Sequence, residues 1–375
     1  MDTATTTLRV RDPAPPFALN SQKNELIALE DYAGKPLVLV FYASDEIVAC
    51  ADIACAFRDK AAEFTALGAK VLSISSDAPA ARADFAARFH LPFQLLCDPD
   101  ASISKKYGAC YPNEAGDAVF VRLAFLLNIN QRIIKIYKLS DLESPVEAIL
   151  GDISSDCQLP EPHQIYMQAP VLLIPNVLAE MECRKLIEIW ETQGHSDSGF
   201  MVKDGEKTVG YLDPSHKLRS DHFLADGGVK NYLDWVMQRR IFPEIKKAFD
   251  YDASRREEYK IACYDASRGG YFRAHRDNTT PGTAHRKFAM TLNLNAEEYA
   301  GGYLRFPEYG PHVYKPSTGS AVIFSCSLLH EATDVTAGRR FALLSFFYGE
   351  VEGAMREAYE KRFGNNKEAI VVDRR

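Results

Sequence analysis

The chain has 375 residues and no apolar run near the roughly 20 that a membrane-spanning helix needs. Its longest, Pro36 to Ala43, has the length of one buried strand. It has no excess of basic charge. The 44 Lys and Arg are outnumbered by 51 Asp and Glu, for a net charge of −7, and neither half is basic. That argues against sequence-independent nucleic-acid binding and against an anionic membrane surface as partner. There is no C-x-x-C pair. The eight cysteines, at 50, 55, 97, 110, 157, 183, 263 and 326, are scattered, so neither a disulfide scaffold nor a cysteine zinc site is expected. The first residues, MDTATTTLRVRD, lack the apolar core of a signal peptide, and the expected location is the cytoplasm.

The length predicts two domains, each able to bury its own core. Residues 1–155 alternate strand and helix patterns. LVLVFY (37–42) is a continuous apolar run suited to a strand covered on both faces. A helical stripe of Phe57, Ala61, Phe64 and Leu67 follows and stops at Gly68. KVLSIS (70–75), a helix over 80–89 and a strand over 121–129 complete an α/β sheet of thioredoxin or doubly wound type. Residues 156–170, DCQLPEPHQIYMQAP, read as a linker. Residues 171–350 begin with a short strand and helices over 179–193 and 227–248. Apolar strands with Gly/Pro turns then predict an antiparallel jelly roll. Residues 351–375 are expected to form a helical tail.

Chemistry concentrates in the second half. His275 and Asp277 lie two apart in YFRAHRDN, a spacing that aims both to one face of a strand. His330 lies 53 residues further on, at the end of another apolar strand. Two imidazoles and a carboxylate on one face of an ion, with open positions opposite, form the non-haem Fe(II) oxygenase arrangement. H-x-D alone is a weak signal, and His330 alone reads equally well as a packed histidine. Arg340, ten residues after His330, is placed to pair with a carboxylate, and Tyr264 precedes the first ligand on an adjoining strand. Gly269 and Gly270 allow the turn between them. His285 reads as an exposed loop histidine. Arg273, Arg276 and Arg286 read as a solvated charged face, and Cys263 and Cys326 as core residues.

ACYDASRGGYFRAHRDN, GGYLRFPEYG and LLHEATDVTAGRRFAL, in that order, resemble the prolyl 4-hydroxylase class of Fe(II)/2-oxoglutarate dioxygenases over residues 170–350. The resemblance implies a double-stranded β-helix with flanking helices. It implies Fe(II) on His275, Asp277 and His330, and 2-oxoglutarate held by Arg340 rather than Arg339, and by Tyr264. Leu292 stands near the family's second co-substrate tyrosine. O₂ would be the oxidant, ascorbate the reductant, and a prolyl residue of a protein or peptide the substrate.

In the first half, Cys50 and Cys55 follow the LVLVFY strand at the start of a helix, where the partial positive charge favours a thiolate. Arg122 could approach from a neighbouring strand. A small buried cysteine is the competing reading. RDPAPPFAL, GKPLVLVFYASDEIVACADIACAFRD, VLSISSD, PFQLLCDPDASISKKYG and RLAFLLN resemble the peroxiredoxins of the alkyl hydroperoxide reductase and thiol-specific antioxidant family. The resemblance puts Cys50 in the peroxidatic slot, Cys55 in the resolving slot and Arg122 in the active-site arginine slot. It implies a thiol reductant such as thioredoxin, and a homodimer. The family's loop has a proline seven residues before the cysteine and Thr or Ser three before it. Here Ala43 and Ile47 stand there, and a redoxin domain kept for docking or dimerisation is the rival. For the whole chain, the competing readings are a thiol peroxidase with an auxiliary oxygenase domain and a redox- or oxygen-sensing module with little turnover.

Overall fold

The computed structural model describes residues 8–139, 144–157, 161–162 and 164–364. The chain separates near residue 162 into two compact units.

In the first unit, Leu37–Phe41 is buried along its whole length and pairs in parallel with Lys70–Ser75, which pairs in parallel with Gln94–Cys97. Leu123–Leu127 and Ile133–Lys138 extend the sheet antiparallel on one side, and Ala18–Ser21 and Leu26–Ala28 on the other. Apolar side chains leave both faces. Val38 and Val40 join Ile53, Phe57 and Ile149 on one side, and Leu37, Leu39 and Phe41 join Tyr107 and Phe125 on the other. This is the thioredoxin-like arrangement. The helix expected from the Phe57, Ala61, Phe64 and Leu67 stripe is two helices, Val48–Asp59 and Ala61–Ala66, and Gly68 takes φ +70° after the second.

In the second unit a larger antiparallel sheet runs in the order Leu172–Ile174, Ala321–Ser325, Phe288–Asn293, Arg339–Tyr348, Lys260–Asp265, Ser220–Phe223, Ser196–Asp197. A smaller one runs Lys217–Leu218, Tyr271–His275, His330–Ala332, Leu304–Arg305, Val313–Tyr314. Period-two alternation decides which side chains go where. Ile261, Cys263, Phe341, Leu343 and Phe347 face helices Glu180–Thr192, Gly227–Arg240 and Phe242–Phe249 through Leu186, Trp190, Val236 and Ile245. Ala262 and Tyr264 face the smaller sheet and meet Phe272, Ala332 and Val335. The two sheets thus enclose an interior, as in a jelly roll. The helix expected over 227–248 breaks at Ile241, because Pro243 opens a second helix and cannot donate into the first. Helix Glu350–Phe363 follows the last strand. The remainder of the expected tail lies outside the described residues. Strands at 196–223, including the Phe200–Asp204/Lys207–Tyr211 hairpin, were not expected from the sequence. No helix among the described residues is long and apolar enough to cross a membrane.

Between strands Lys260–Asp265 and Tyr271–His275 the chain turns through Gly269 and Gly270, both at positive φ. A Cβ at Gly270 would lie 2.8 Å from Asp265 N and 2.9 Å from the Tyr264 carbonyl carbon. Gly270→Ala is therefore expected to destabilise this unit by about 1–3 kcal/mol. Chemical denaturation checks this; an unshifted midpoint contradicts the packing.

Candidate active site and metal centre

Strands Tyr271–His275 and His330–Ala332 pair so that His275 stands directly opposite His330. Asp277 follows just past the strand end, its amide bound to Cys326 O at 2.9 Å. The three ligand atoms lie within 4.8 Å of one another. His330 Nε2 is 3.3 Å from Asp277 Oδ2, and His275 Nε2 is 3.6 Å from Oδ1. Each imidazole has its other nitrogen on a main-chain carbonyl: His275 Nδ1 on Arg273 O at 2.7 Å, and His330 Nδ1 on Leu328 O at 3.0 Å. These bonds fix the tautomer with Nδ1 protonated and leave the Nε2 lone pairs for a metal. Burial pushes the His330 pKa down to about 4, keeping the ring neutral at pH 7. Burial alone would raise Asp277, but the adjacent His330 and His275 hold it far below the usual carboxylate range, as a charged ligand. The set fits a divalent ion.

The triad opens into a cavity of about 350 Å³. Arg340 lines it from the larger sheet, 3% exposed and directly opposite Tyr264. Its guanidinium lies 5.0 Å from the Tyr264 ring centroid, and one nitrogen donates to Thr291 Oγ1 at 3.3 Å. Among the described residues Arg340 Nε and Nη1 have no hydrogen-bond partner, and the buried Tyr299 hydroxyl faces the guanidinium without reaching hydrogen-bond geometry. A buried donor left unmade costs about 1–3 kcal/mol, so this corner is built to receive an anion. Gly302 allows it: a Cβ there would sit 3.1 Å from Arg340 Cδ and 2.9 Å from Val335. The Tyr264 hydroxyl accepts from Arg219 Nη1 at 3.2 Å, and Arg219 is itself clamped on Asp221 by bonds of 2.7 and 2.6 Å. Leu292, by contrast, packs in the core behind the larger sheet, while its neighbour Thr291 faces the cavity.

Several residues differ from their sequence reading. His285 is 4% exposed, not a solvated loop residue, with Nε2 2.8 Å from Glu257 Oε1. Arg286 is mostly buried, lines the cavity and pairs with the same carboxylate at 2.6 Å. Arg273 and Arg276 do lie on the surface, paired with Asp334 and Glu308. Cys263 and Cys326 are core residues, 3% and 0% exposed. Lys217, Lys260, Thr291 and Tyr299 went unrecognised. The one available signal was for Lys260, which shares the period-two face of Tyr264.

In the first unit, Cys50 is 1% exposed on the first turn of helix Val48–Asp59, and Cys55 is partly exposed further along it. Residues five apart on a helix point about 140° apart, so the structure does not bring the two thiols together. Burial raises the Cys50 pKa, against opposing contributions from the Ser44 and Ala43 backbone and the Arg122 charge. Ile47 caps the helix without a side-chain hydrogen bond and is 46% exposed, so no hydroxyl serves the thiol from that position. Cys55 Sγ receives Arg58 Nη1 at 3.4 Å. The preceding loop is tied by Ser44 Oγ to Asp77 at 2.7 Å and by fully buried Arg82, which holds Asp45, Ser73 and Ser75.

Residues 10–136 match the AhpC/TSA family, and residues 259–348 match the 2OG-Fe(II) oxygenase superfamily. A chloroplastic peroxiredoxin Q from Sedum lineare is 35% identical over 123 residues, 33% of this chain and 65% of that protein. One from Populus jackii is 43% identical over 96 residues, 25% of this chain and 45% of that protein. The chain thus spans about half to two thirds of these relatives. It covers 86% of a Haemophilus influenzae relative bearing the peroxiredoxin name bcp, with 33% identity over 134 residues, 35% of this chain. The crystal structure of peroxidoxin BcpB from Mycobacterium tuberculosis aligns at 22% identity over 40% of this chain and 99% of that one, with a TM-score of 0.38. The chain belongs to the peroxiredoxin family through its first unit and carries a 2OG-Fe(II) oxygenase superfamily domain in its second.

Arg340→Ala is expected to raise the 2-oxoglutarate concentration needed for half-maximal binding by at least tenfold, because a buried charged hydrogen-bond partner is worth about 2–5 kcal/mol. Arg339, exposed and paired with Glu191, should tolerate the same change. Titration calorimetry decides, and a larger effect at Arg339 contradicts the register. In the first unit, iodoacetamide at pH 7 should label Cys55 well before Cys50, with Cys50 labelling rising only at alkaline pH. Peptide mapping reads this, and preferential labelling of Cys50 at pH 7 overturns it.

Proposed function

We propose that the second unit is an Fe(II)- and 2-oxoglutarate-dependent dioxygenase that hydroxylates a prolyl residue of a protein or peptide. The supporting observation is one cavity with a His, Asp, His set in its wall and a buried guanidinium with two unmatched nitrogens facing the same space. When bound, the metal with 2-oxoglutarate and O₂ supplies the oxidant for C–H hydroxylation, with succinate and CO₂ as co-products. The chain's residues do the rest. His275 and His330 offer Nε2, held by their carbonyl-bound Nδ1 protons. Asp277 contributes the negative charge that lowers the site's charge to one. Arg340 takes the distal carboxylate of 2-oxoglutarate, steered by Thr291 and the Tyr264 ring. The enclosing aromatic and aliphatic side chains exclude water and hold the target carbon near the metal. Prolyl specificity and use of ascorbate rest on resemblance to the prolyl 4-hydroxylase class.

For the first unit we propose a peroxiredoxin-type role for Cys50, with Arg122 as its charge partner, Cys55 as resolving thiol and a reductant such as thioredoxin. A Cys50–Cys55 bond requires the start of helix Val48–Asp59 to unwind. The buried, pKa-raised Cys50 and the missing hydroxyl at Ile47 favour a second reading, a docking or dimerisation domain. Eight free thiols suit a reducing compartment, and we place the protein in the cytoplasm.

The chain loaded anaerobically with Fe(II) should develop a weak visible charge-transfer band when 2-oxoglutarate is added. His275→Ala and His330→Ala should each lose the band and reduce succinate release to background. Full activity in both variants contradicts the assignment.

A further inference from the structure

We infer that the primary substrate carries a carboxylate, seated on the Lys260 ammonium at the end of the cavity away from Arg340. The inference rests on the dioxygenase reading and adds the class of substrate.

Lys260 and Arg340 face the same cavity from neighbouring strands. Their register separates them: Tyr264 opposes Arg340, whereas Lys260 opposes Leu344. Four residues along a strand put their Cα positions about 13 Å apart at about 3.3 Å per residue. Their heads also turn to different neighbours: the Arg340 guanidinium to the Tyr264 ring and Thr291, the Lys260 ammonium to the Phe346 and Phe223 rings. The two cations thus offer separate contacts, one for 2-oxoglutarate and one for a second ligand.

The remaining cations of the cavity wall are already engaged. Arg219 pairs with Asp221, Arg286 with Glu257 and Arg276 with Glu308, each at 2.6 Å. Lys217 donates to Ser198 Oγ and the Gly199 carbonyl, and burial pushes its pKa well down. Lys260 differs. No carboxylate or hydrogen-bond acceptor among the described residues is within hydrogen-bond reach of its ammonium, which lies 5.2 Å from the Phe346 ring centroid and 5.9 Å from that of Phe223. Burial lowers its pKa to about 8, against the more distant charges of Asp221 and Glu257, so it is still mainly a cation at pH 7.

The charge balance points the same way. Fe(II) and the 2-oxoglutarate dianion cancel. Asp277 offsets one of the two cations still lacking a carboxylate, Arg340 and Lys260. One positive charge is left over, in a partly desolvated place where an unpaired charge is costly and an incoming anion is correspondingly favoured. Phe223 is 59% exposed, so this end meets solvent, where a substrate enters. The two rings flanking the ammonium offer apolar surface to the stem that bears the carboxylate. A prolyl substrate can supply that group from two sources, its own free α-carboxylate or an acidic side chain next to it in a peptide.

The test uses the full chain loaded with Mn(II) and saturating 2-oxoglutarate, titrated calorimetrically with two matched pairs. N-acetyl-L-proline against its amide probes the free α-carboxylate. The N-acetylated prolyl-aspartyl amide against the prolyl-asparaginyl amide probes the side chain. At least one acid should bind about tenfold tighter than its neutral partner, the value of one charge-assisted contact, and the pair that discriminates identifies the source. Lys260→Met should abolish the preference and Lys260→Arg should keep it, which separates loss of charge from loss of fold. Equal binding of acid and neutral probes, no binding of any probe, or a preference untouched by Lys260→Met overturns the inference while the dioxygenase reading stands. Failure of the wild-type chain to bind 2-oxoglutarate removes that reading and this inference with it.

Discussion

Strand register is the constraint on which the second unit depends. His275 opposite His330 across one strand pair, and Tyr264 opposite Arg340 across another, are two register facts. Side chains alternate with period two, so a slip of one residue on either pair would turn a ligand or the guanidinium out of the cavity. The register is held by burial on both sides. Ile261, Cys263, Phe341 and Leu343 must meet the helices while Ala262, Tyr264 and Arg340 face the interior. The core packing that stabilises the sheet therefore also aims the site.

Electrostatics then separates the roles of the charged groups. Arg219 and Arg286 each have a carboxylate and act as structural braces, with Arg219 also holding the Tyr264 hydroxyl. Among the described residues, Arg340 and Lys260 have no carboxylate within hydrogen-bond reach. The same low-dielectric interior that keeps His330 neutral makes an unpaired guanidinium expensive, so the unpaired groups mark where ligands belong.

The first unit shows the opposite balance. Its peroxiredoxin fold is intact, yet Cys50 sits in an apolar setting with Ile47 where the family has a hydroxyl. Arg122 and the loop backbone pull the thiol pKa down, and burial outweighs them. A sheet covered on both faces is fixed by many apolar contacts and tolerates such losses, whereas thiolate chemistry depends on a few polar ones.

Much of this was legible in the sequence because it is carried by local pattern. The apolar runs LVLVFY (37–42) and KVLSIS (70–75) read directly as strands, and H-x-D, the distant His330 and Arg340 read as a site because strand alternation places them. The illegible parts depend on distant partners. His285 and Arg286 looked solvent-exposed until folding brought Glu257 to them. Asp221 lies on a short polar strand, and Arg219 just before it, with no apolar alternation to announce them. Tyr299 reaches the Arg340 corner from a turn rather than a strand. The central claim is that the triad and Arg340 form one site for a metal and a dicarboxylate. The most direct measurement is an anaerobic crystal structure of the full chain with Mn(II) and 2-oxoglutarate. The account predicts an anomalous peak within coordination distance of His275 Nε2, Asp277 and His330 Nε2, with the distal carboxylate on Arg340. A peak elsewhere, or that carboxylate on Lys260, would contradict it.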